Sequence, residues 1–315
     1  RAVGIAEDAD LKKISIEDYI ATGKGRITSS ASNKIAIVYA QGEIMYGKGD
    51  ENYIGQELII NTLRTIRKSK DVKAIVLRIN SPGGSALASE LIWREIELTK
   101  QKLPIVVSMG NVAASGGYYI ACNADKIFAE PTTITGSIGV FGVIPNVSKL
   151  AGNIGINAEQ VSTNKGASYS VFEPMTNDFR AVTTEGVEQV YTTFLDRVSA
   201  GRNMSFSAVD SIAQGRVWSG VDAKNIGLVD TIGNLDDAIV AAAELAEITD
   251  YKIRNYPDYK VELEDRFSGF PFMKTKEKLF IEEFGEENYK IYKTLKSISN
   301  LKGIQARMPY IIEFH

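Results

Sequence analysis

From Lys34 onward, short continuous apolar runs alternate with helical stripes of apolar positions. The runs Ile35-Ala36-Ile37-Val38-Tyr39 and Ala74-Ile75-Val76-Leu77-Arg78-Ile79 are rich in β-branched residues and end in turn formers, which predicts buried strands. Ile105-Val106-Val107-Ser108-Met109 has the same character and predicts a third strand. Between them, Gln56 to Lys70 places Leu58, Ile59, Leu63 and Ile66 on one helical face, and Ala86 to Lys100 reads as a second helix. A small-residue helix is expected from about Ala113. Strand, helix, strand, helix at this spacing predicts βαβ units with right-handed crossovers, and so an α/β fold.

Further along, Gly152 to Tyr169 reads as irregular and Glu185 to Ala200 as a long amphipathic helix. Phe206 to Gln214 and Asp236 to Ile248 add two more helices. Residues 1–33 are polar and irregular and read as a linker. After Asp250 the composition shifts toward Tyr, Phe, Lys and Glu, so residues 251–315 read as an arm ending in a helix around Glu286 to Ser299. The expected organisation is a linker over 1–33, a domain over 34–250 and a C-terminal arm over 251–315.

Rare residues narrow the chemistry. Among 315 residues there is one Cys, Cys122, and one His, His315. No disulfide can form within the chain, and no zinc site of His and Cys ligands is possible. A Ser-His-Asp triad would have to use the terminal histidine, so the expected catalysis proceeds without an imidazole. With 36 Lys+Arg against 39 Asp+Glu the net charge is −3, which argues against nucleic acid as a partner. The apolar runs fall short of the about 20 residues that span a bilayer. Arg1-Ala2-Val3-Gly4 reads like the interior of a longer protein, so a processed product or fragment is expected, with any membrane segment outside this sequence.

Two glycine-rich segments sit where strands hand over to helices: Asn80-Ser81-Pro82-Gly83-Gly84-Ser85, and Gly110-Asn111-Val112-Ala113-Ala114-Ser115-Gly116-Gly117-Tyr118-Tyr119. Consecutive glycines let backbone approach a ligand and leave N–H groups free to point at it. If both segments reach one edge of a sheet, their amides can converge on a developing oxyanion, as acyl transfer requires. Ser115, flanked by two alanines and two glycines, is the candidate nucleophile; the competing reading makes it a helix N-cap.

Ala74 to Gly84, Val106 to Tyr119 and Thr135-Gly136-Ser137-Ile138-Gly139-Val140-Phe141-Gly142 together resemble the signal peptide peptidase A family, also called protease IV. The resemblance extends through Gly215-Arg216-Val217-Trp218-Ser219-Gly220 and Asn225-Ile226-Gly227-Leu228-Val229-Asp230. It implies a Clp-protease/crotonase-like repeated βαβ spiral, here with a helical C-terminal extension. It also implies a Ser/Lys dyad that uses no cofactor or metal. By resemblance Ser115 is the nucleophile, Gly84 and Gly116 supply the oxyanion amides, and Ser137 orients the base. A lysine can take the serine proton near neutral pH only if burial lowers its pKa from about 10.4.

In the family's short form the lysine follows the nucleophile in the same chain. Here the matching stretch holds Ala167, Ser168 or Tyr169, with Lys165 displaced by a few residues. In the long, tandem-duplicated form the N-terminal half supplies the lysine and the C-terminal half the serine, and this chain resembles that C-terminal half. The implied partners are hydrophobic peptides such as signal peptide remnants, bound as added strands, the N-terminal half of the same protein, and copies of itself in a homo-oligomer, a tetramer of the full-length form. The implied location is the bacterial cytoplasmic membrane, anchored by a transmembrane segment, with the catalytic domain on the outer, periplasmic face.

Two other functions fit the same fold. A crotonase-like acyl-CoA enzyme would need carboxylates near the glycine-rich loops, and none is expected there. A catalytically silent half would scaffold an oligomer. Trp93, Trp218, Tyr118 and Tyr119 read as core or interface, Cys122 as buried and inert, and Asp236-Asp237 as charge bias at a helix start.

Overall fold

The computed structural model describes residues 30–159, 161, 169–257, 285, 288, 289, 292 and 303–308. Nearly all of the expected linker lies outside these residues, as do the phenylalanines of the arm and Lys165. Of the helix expected around Glu286 to Ser299, Asn288, Tyr289 and Tyr292 are described and helical.

In chain order the elements are β1 (Lys34–Gln41), β2 (Glu43–Met45), β3 (Tyr53–Gly55), α1 (Gln56–Lys68), β4 (Val72–Ser81), β5 (Gly83–Ser85), α2 (Ala86–Lys100), β6 (Ile105–Ala114) and α3 (Gly116–Tyr119). Then come β7 (Lys126–Ala129), β8 (Ile134–Gly136), β9 (Phe141–Gly142), α4 (Ser148–Asn153), α5 (Asn177–Arg202), α6 (Phe206–Ile212), β10 (Val217–Ser219), α7 (Gly220–Asn225), β11 (Thr231–Ile232), α8 (Leu235–Leu245), β12 (Lys252–Tyr256) and β13 (Ile304–Arg307).

The larger sheet has eight strands in the order β10-β8-β6-β4-β1-β12, with β7 beside β6 and β11 beside β7. Every pairing in it is parallel except β10 against β8. Ile35, Ile37, Ala74, Val76 and Val106 pack on one face against the alanines of α8. Ala36, Val38, Ile75, Leu77 and Val107 pack on the other against Ile59, Leu63 and Ile66 of α1 and Ile92 and Ile96 of α2. Strands covered on both faces need apolar residues at every position, which is why their runs are continuous rather than alternating. The Asp236-Asp237 pair does more than bias charge. Asn234 Oδ1 accepts from the Asp236 and Asp237 amides, and Asp237 Oδ2 accepts from Asn234 N, a capping box that opens α8.

Three expectations change. The third strand runs through Ala114 instead of ending at Met109, and the helix begins at Gly116 rather than near Ala113. The reason is pairing. The first half of β6 pairs with β7 and the second half with β8 (Val112 with Ile134, Ala113 with Thr135, Ala114 with Gly136), so a ladder takes the amides a helix would have used. The stretch expected to be irregular from Gly152 opens inside a short helix, Ser148–Asn153, which takes its first two residues. After Asp250 the chain re-enters the fold: β12 lies parallel to β1, and β13 joins a second sheet of order β3-β2-β5-β13-β9. Among the described residues no helix is long and apolar enough to cross a membrane.

Candidate active site

Ser115 stands at the turn from β6 into α3 with φ 53° and ψ −115°, a left-handed conformation that non-glycine residues seldom adopt. Holding it costs about 1–3 kcal/mol, and such strain persists only where the surroundings impose it. Two bonds do so here. Ser115 N donates to Gly136 O (2.8 Å), and Ser115 O accepts from Tyr119 N (2.8 Å). The hydroxyl makes no capping bond to α3 and instead donates to Gly139 O (3.3 Å). The N-cap reading therefore does not account for this serine. Contrary to the open setting its small neighbours suggest, Ser115 is fully buried. Strand β13 packs beside it, with Met308 against Val112 and Ala114.

The glycine-rich segments do reach one edge, at the junction of the two sheets. Gly83 (φ 95°) and Gly84 (φ 156°) form β5 between β2 and β13. A Cβ on Gly84 would lie 1.9 Å from Ile44 O, and one on Gly83 would lie 2.7 Å from Gly116 N. A Cβ on Gly116 would lie 2.7 Å from Ser89 Oγ and 2.9 Å from Ala306 O. Only glycine permits this closeness of three backbones. Gly116 and the Gly83-Gly84 pair thus flank one point, and the carbonyl oxygen of Ala306 occupies it.

Ser137 belongs to the same cluster. Its φ is 48°, it is buried, and its amide donates to Arg216 O (2.7 Å). The preceding residue, Gly136, is the acceptor for Ser115 N, so the two serines are joined through one backbone step. Strand β10 braces this turn: Val217 pairs with Gly136 and Trp218 with Thr135, and a Cβ on Gly136 would lie 2.6 Å from the Trp218 ring. Trp218 is therefore a support for the Ser137 turn, held in turn by its Nε1–H bond to Ile212 O (3.0 Å). The other motif of the resemblance, 225–230, is structural. Leu228 O accepts from Tyr118 Oη (2.9 Å), and Asp230 accepts from Ile127 N (2.7 Å) and pairs with Arg202.

Carboxylates do stand near the glycine-rich strands, against expectation. Glu43 and Glu90 line a cavity of about 890 Å³ with Tyr46, Ser85, Leu87 and Gln305. Neither was visible in the sequence, because one is brought by a neighbouring strand and the other by the next helix. Both are engaged: Glu90 with Arg197 (2.6 Å) and the Tyr119 hydroxyl, Glu43 with Arg307 (2.8 Å). Burial raises the Glu43 carboxyl above its usual range, partly offset by the Arg307 charge. The Tyr119 phenol is also pushed up, by burial first and then by its bond to Glu90. Cys122 is fully buried, and burial lifts its thiol to about 12.

Among the described residues no lysine bonds to Ser115 or Ser137, and no cluster of His, Cys, Asp and Glu could hold a metal ion. The arrangement offers a strained hydroxyl, closely approaching glycine backbones and a second serine.

The model of peptidase family S49 matches residues 97–249, and the model described as ClpP-like SDH-type serine proteinase matches residues 26–164; both include Ser115, Gly116 and Ser137. Protease 4 of Haemophilus influenzae is 40% identical over 82% of this chain and 44% of its own length. The chloroplastic serine protease SPPA of Arabidopsis thaliana is 35% identical over 98% of this chain and 46% of its own. A relative from Enterococcus faecium, provisionally named signal peptide peptidase SppA, is 34% identical over 73% of this chain and 69% of its own. The chain thus spans less than half the length of the first two. The ClpP-like match agrees with the parallel βαβ architecture described above.

Proposed function

Because this chain belongs to peptidase family S49, we propose that it is the serine-bearing part of an endopeptidase, with Ser115 as its nucleophile. The observation that carries this reading is the Ala306 carbonyl lodged between Gly83 and Gly116, beside the strained Ser115. A bound peptide presents its carbonyl in the same way. Met308 N donates to Pro82 O (3.2 Å), so Met308 and Pro82 form a hydrogen-bonded rung of the β13–β5 ladder. Rungs alternate in antiparallel pairs, which makes Ala306 and Gly84 the next bonded rung. Gly84 and Gly116 are then the two amides that would stabilise the oxyanion.

In the proposed reaction Ser115 Oγ attacks the peptide carbonyl while a neutral lysine takes its proton. The tetrahedral oxyanion rests on the Gly84 and Gly116 amides. The amine leaves with a proton returned by the lysine, and water, activated the same way, hydrolyses the ester. Ser137 orients the lysine. We assign that lysine to an N-terminal half of the full-length protein, with Lys165 as the rival source. The relatives of about twice this chain's length support that assignment.

The substrates of this reading are hydrophobic peptides such as signal peptide remnants, which the name of the Enterococcus faecium relative suggests. Its setting is a homo-oligomer on the outer face of the bacterial cytoplasmic membrane. Leu150, Ile154 and Ile156 are exposed on and after α4, and that apolar surface supports association. The acyl-CoA alternative needs a carboxylate free to act, and Glu43 and Glu90 are both tied in ion pairs.

Fluorophosphonate labelling of this chain, alone and mixed with the N-terminal half of a long relative, tests the proposal. Labelling only in the mixture, lost in Ser115→Ala, is the expected result. Labelling of the isolated chain, lost in Lys165→Ala, would move the base into this chain. No labelling in either sample would overturn the assignment of Ser115.

A further inference from the structure

Strand β13 is an interior strand of the smaller sheet, held antiparallel by β5 on one side and by β9 on the other. Its register sorts its side chains into two sets. Ala306 and Met308 turn toward the site: Ala306 is fully buried in the main core, and Met308 is buried among Val112, Ala114, Ile134 and Val217. Gln305 faces the opposite way, into the cavity lined by Glu43. Arg307 alternates with Ala306 and Met308 and meets Glu43 itself at 2.8 Å.

The ladder explains how that ion pair forms. Arg307 is paired with Gly83, and Ile44 with Gly84 in the parallel sense, which puts Glu43 level with Gly83. Arg307, Gly83 and Glu43 therefore lie in one row across three strands. Gly83, in the middle, has no side chain to intervene. The pair is mostly shielded, with side-chain exposures of 15% for Arg307 and 25% for Glu43. A shielded carboxylate of this kind strongly prefers a cation opposite it and resists a second anion.

We infer that Glu43 is a specificity-determining residue of the peptide groove, and that Ile304–Met308 occupies this groove as a resident pseudosubstrate displaying its preference. The preferred segment has a small residue whose carbonyl lies between Gly83 and Gly116. A basic residue follows, facing Glu43, and then an apolar one enters the Val112–Ala114–Ile134–Val217 pocket. This inference rests on the reading of the groove given above. It adds the basic position, which nothing in the glycine-rich motifs encodes.

Peptide binding without turnover tests it, using the full chain. Hydrogen exchange of the 304–308 amides is followed while a synthetic Gly-Ile-Gln-Ala-Arg-Met-Pro peptide is titrated in, and again with Glu replacing its Arg. The arginine peptide is expected to displace the resident strand, accelerating exchange, at a concentration at least tenfold below that of the glutamate peptide. In Glu43→Lys the order of the two peptides inverts. The double variant Glu43→Lys with Arg307→Glu regains the protection that either single change loses. Equal potency of the two peptides on the unmodified chain overturns the proposal, and that arm needs no variant to fold. Because no step depends on Ser115 reacting, failure of fluorophosphonate labelling and failure of this peptide preference are separate outcomes.

Discussion

Ile75 and Gly84 sit on consecutive strands, yet the sheets they belong to are held in different ways. Ile75 lies at the centre of the eight-stranded sheet, fully buried, with a helix-covered face above it and another below. Deleting its side chain removes apolar contact that nothing can refill. Gly84 lies in the five-stranded sheet, whose strands are two to four residues long and are drawn from the segments 43–45, 53–55, 83–85, 141–142 and 304–307. There Ile44, Ile54 and Ala306 reach into the main core, but at Gly84 it is backbone closeness that matters: Gly84 is pressed against Ile44 O. The large sheet supplies stability. The small one brings the glycine backbones of 83 and 116 and strand β13 together next to Ser115.

The sharpest way to break this contrast is Gly84→Ala. The added methyl would lie 1.9 Å from a backbone oxygen, at a φ of 156°, so strands β2 and β5 must separate. In the mixture with the N-terminal half, the expected result is loss of fluorophosphonate labelling by 100-fold or more, roughly the effect of removing one donor of the proposed oxyanion site. Hydrogen exchange should accelerate in 43–45 and 304–307 while β1, β4 and β6 stay protected. Exchange spreading evenly through both sheets would show that the two are one cooperative unit.

Ile75→Ala probes the other side. A buried isoleucine truncated in a core costs about 2–5 kcal/mol, read as a lower midpoint in denaturant with little change in slope. Labelling per folded molecule should be unchanged below the transition, because the groove is made elsewhere. A drop in labelling under fully folded conditions would mean that core strain reaches the site.

The same contrast explains what the sequence reveals. The strands of the large sheet announce themselves as Ile35–Tyr39, Ala74–Ile79 and Ile105–Met109, since burial on both faces demands unbroken apolar runs. α2 is legible to the residue, because Ser85 caps it and its pattern is clean. Ser115, Gly116, Gly84 and Ser137 are recognisable from their glycine-rich surroundings and are brought together. The continuation of β6 to Ala114 is not legible: Gly110 to Ala114 is glycine- and alanine-rich, and its strand character comes from pairing with β8. Nor is β13, a short run whose partners lie more than a hundred residues earlier. Glu43 and Glu90 carry no local signature at all. Their place near the site is set by topology, which a motif cannot express.

Cys122 gives the smallest and most local test. It follows α3 by a few residues and lies on the large-sheet side, buried in the main core. Burial lifts its thiol from the ordinary value of 9.0 to about 12 in the folded chain. The folded state then keeps the proton where the unfolded chain releases it. Stability from this group is therefore complete below pH 9 and declines as pH rises from there toward 12, by about 1.4 kcal/mol per pH unit. Chemical denaturation at pH 8, 9 and 10 should show that decline, and Cys122→Ala should flatten it while lowering stability modestly at pH 8. Tyr118, likewise fully buried with its phenol raised by burial, acts in the same direction, so some slope will survive the substitution. An unchanged slope in Cys122→Ala would mean that the thiol ionises at the same pH folded as unfolded, near 9.0 rather than about 12. The quiet core beside Ser115 would then harbour a second reactive nucleophile, and the division between a stabilising sheet and a reactive one would fail at that point.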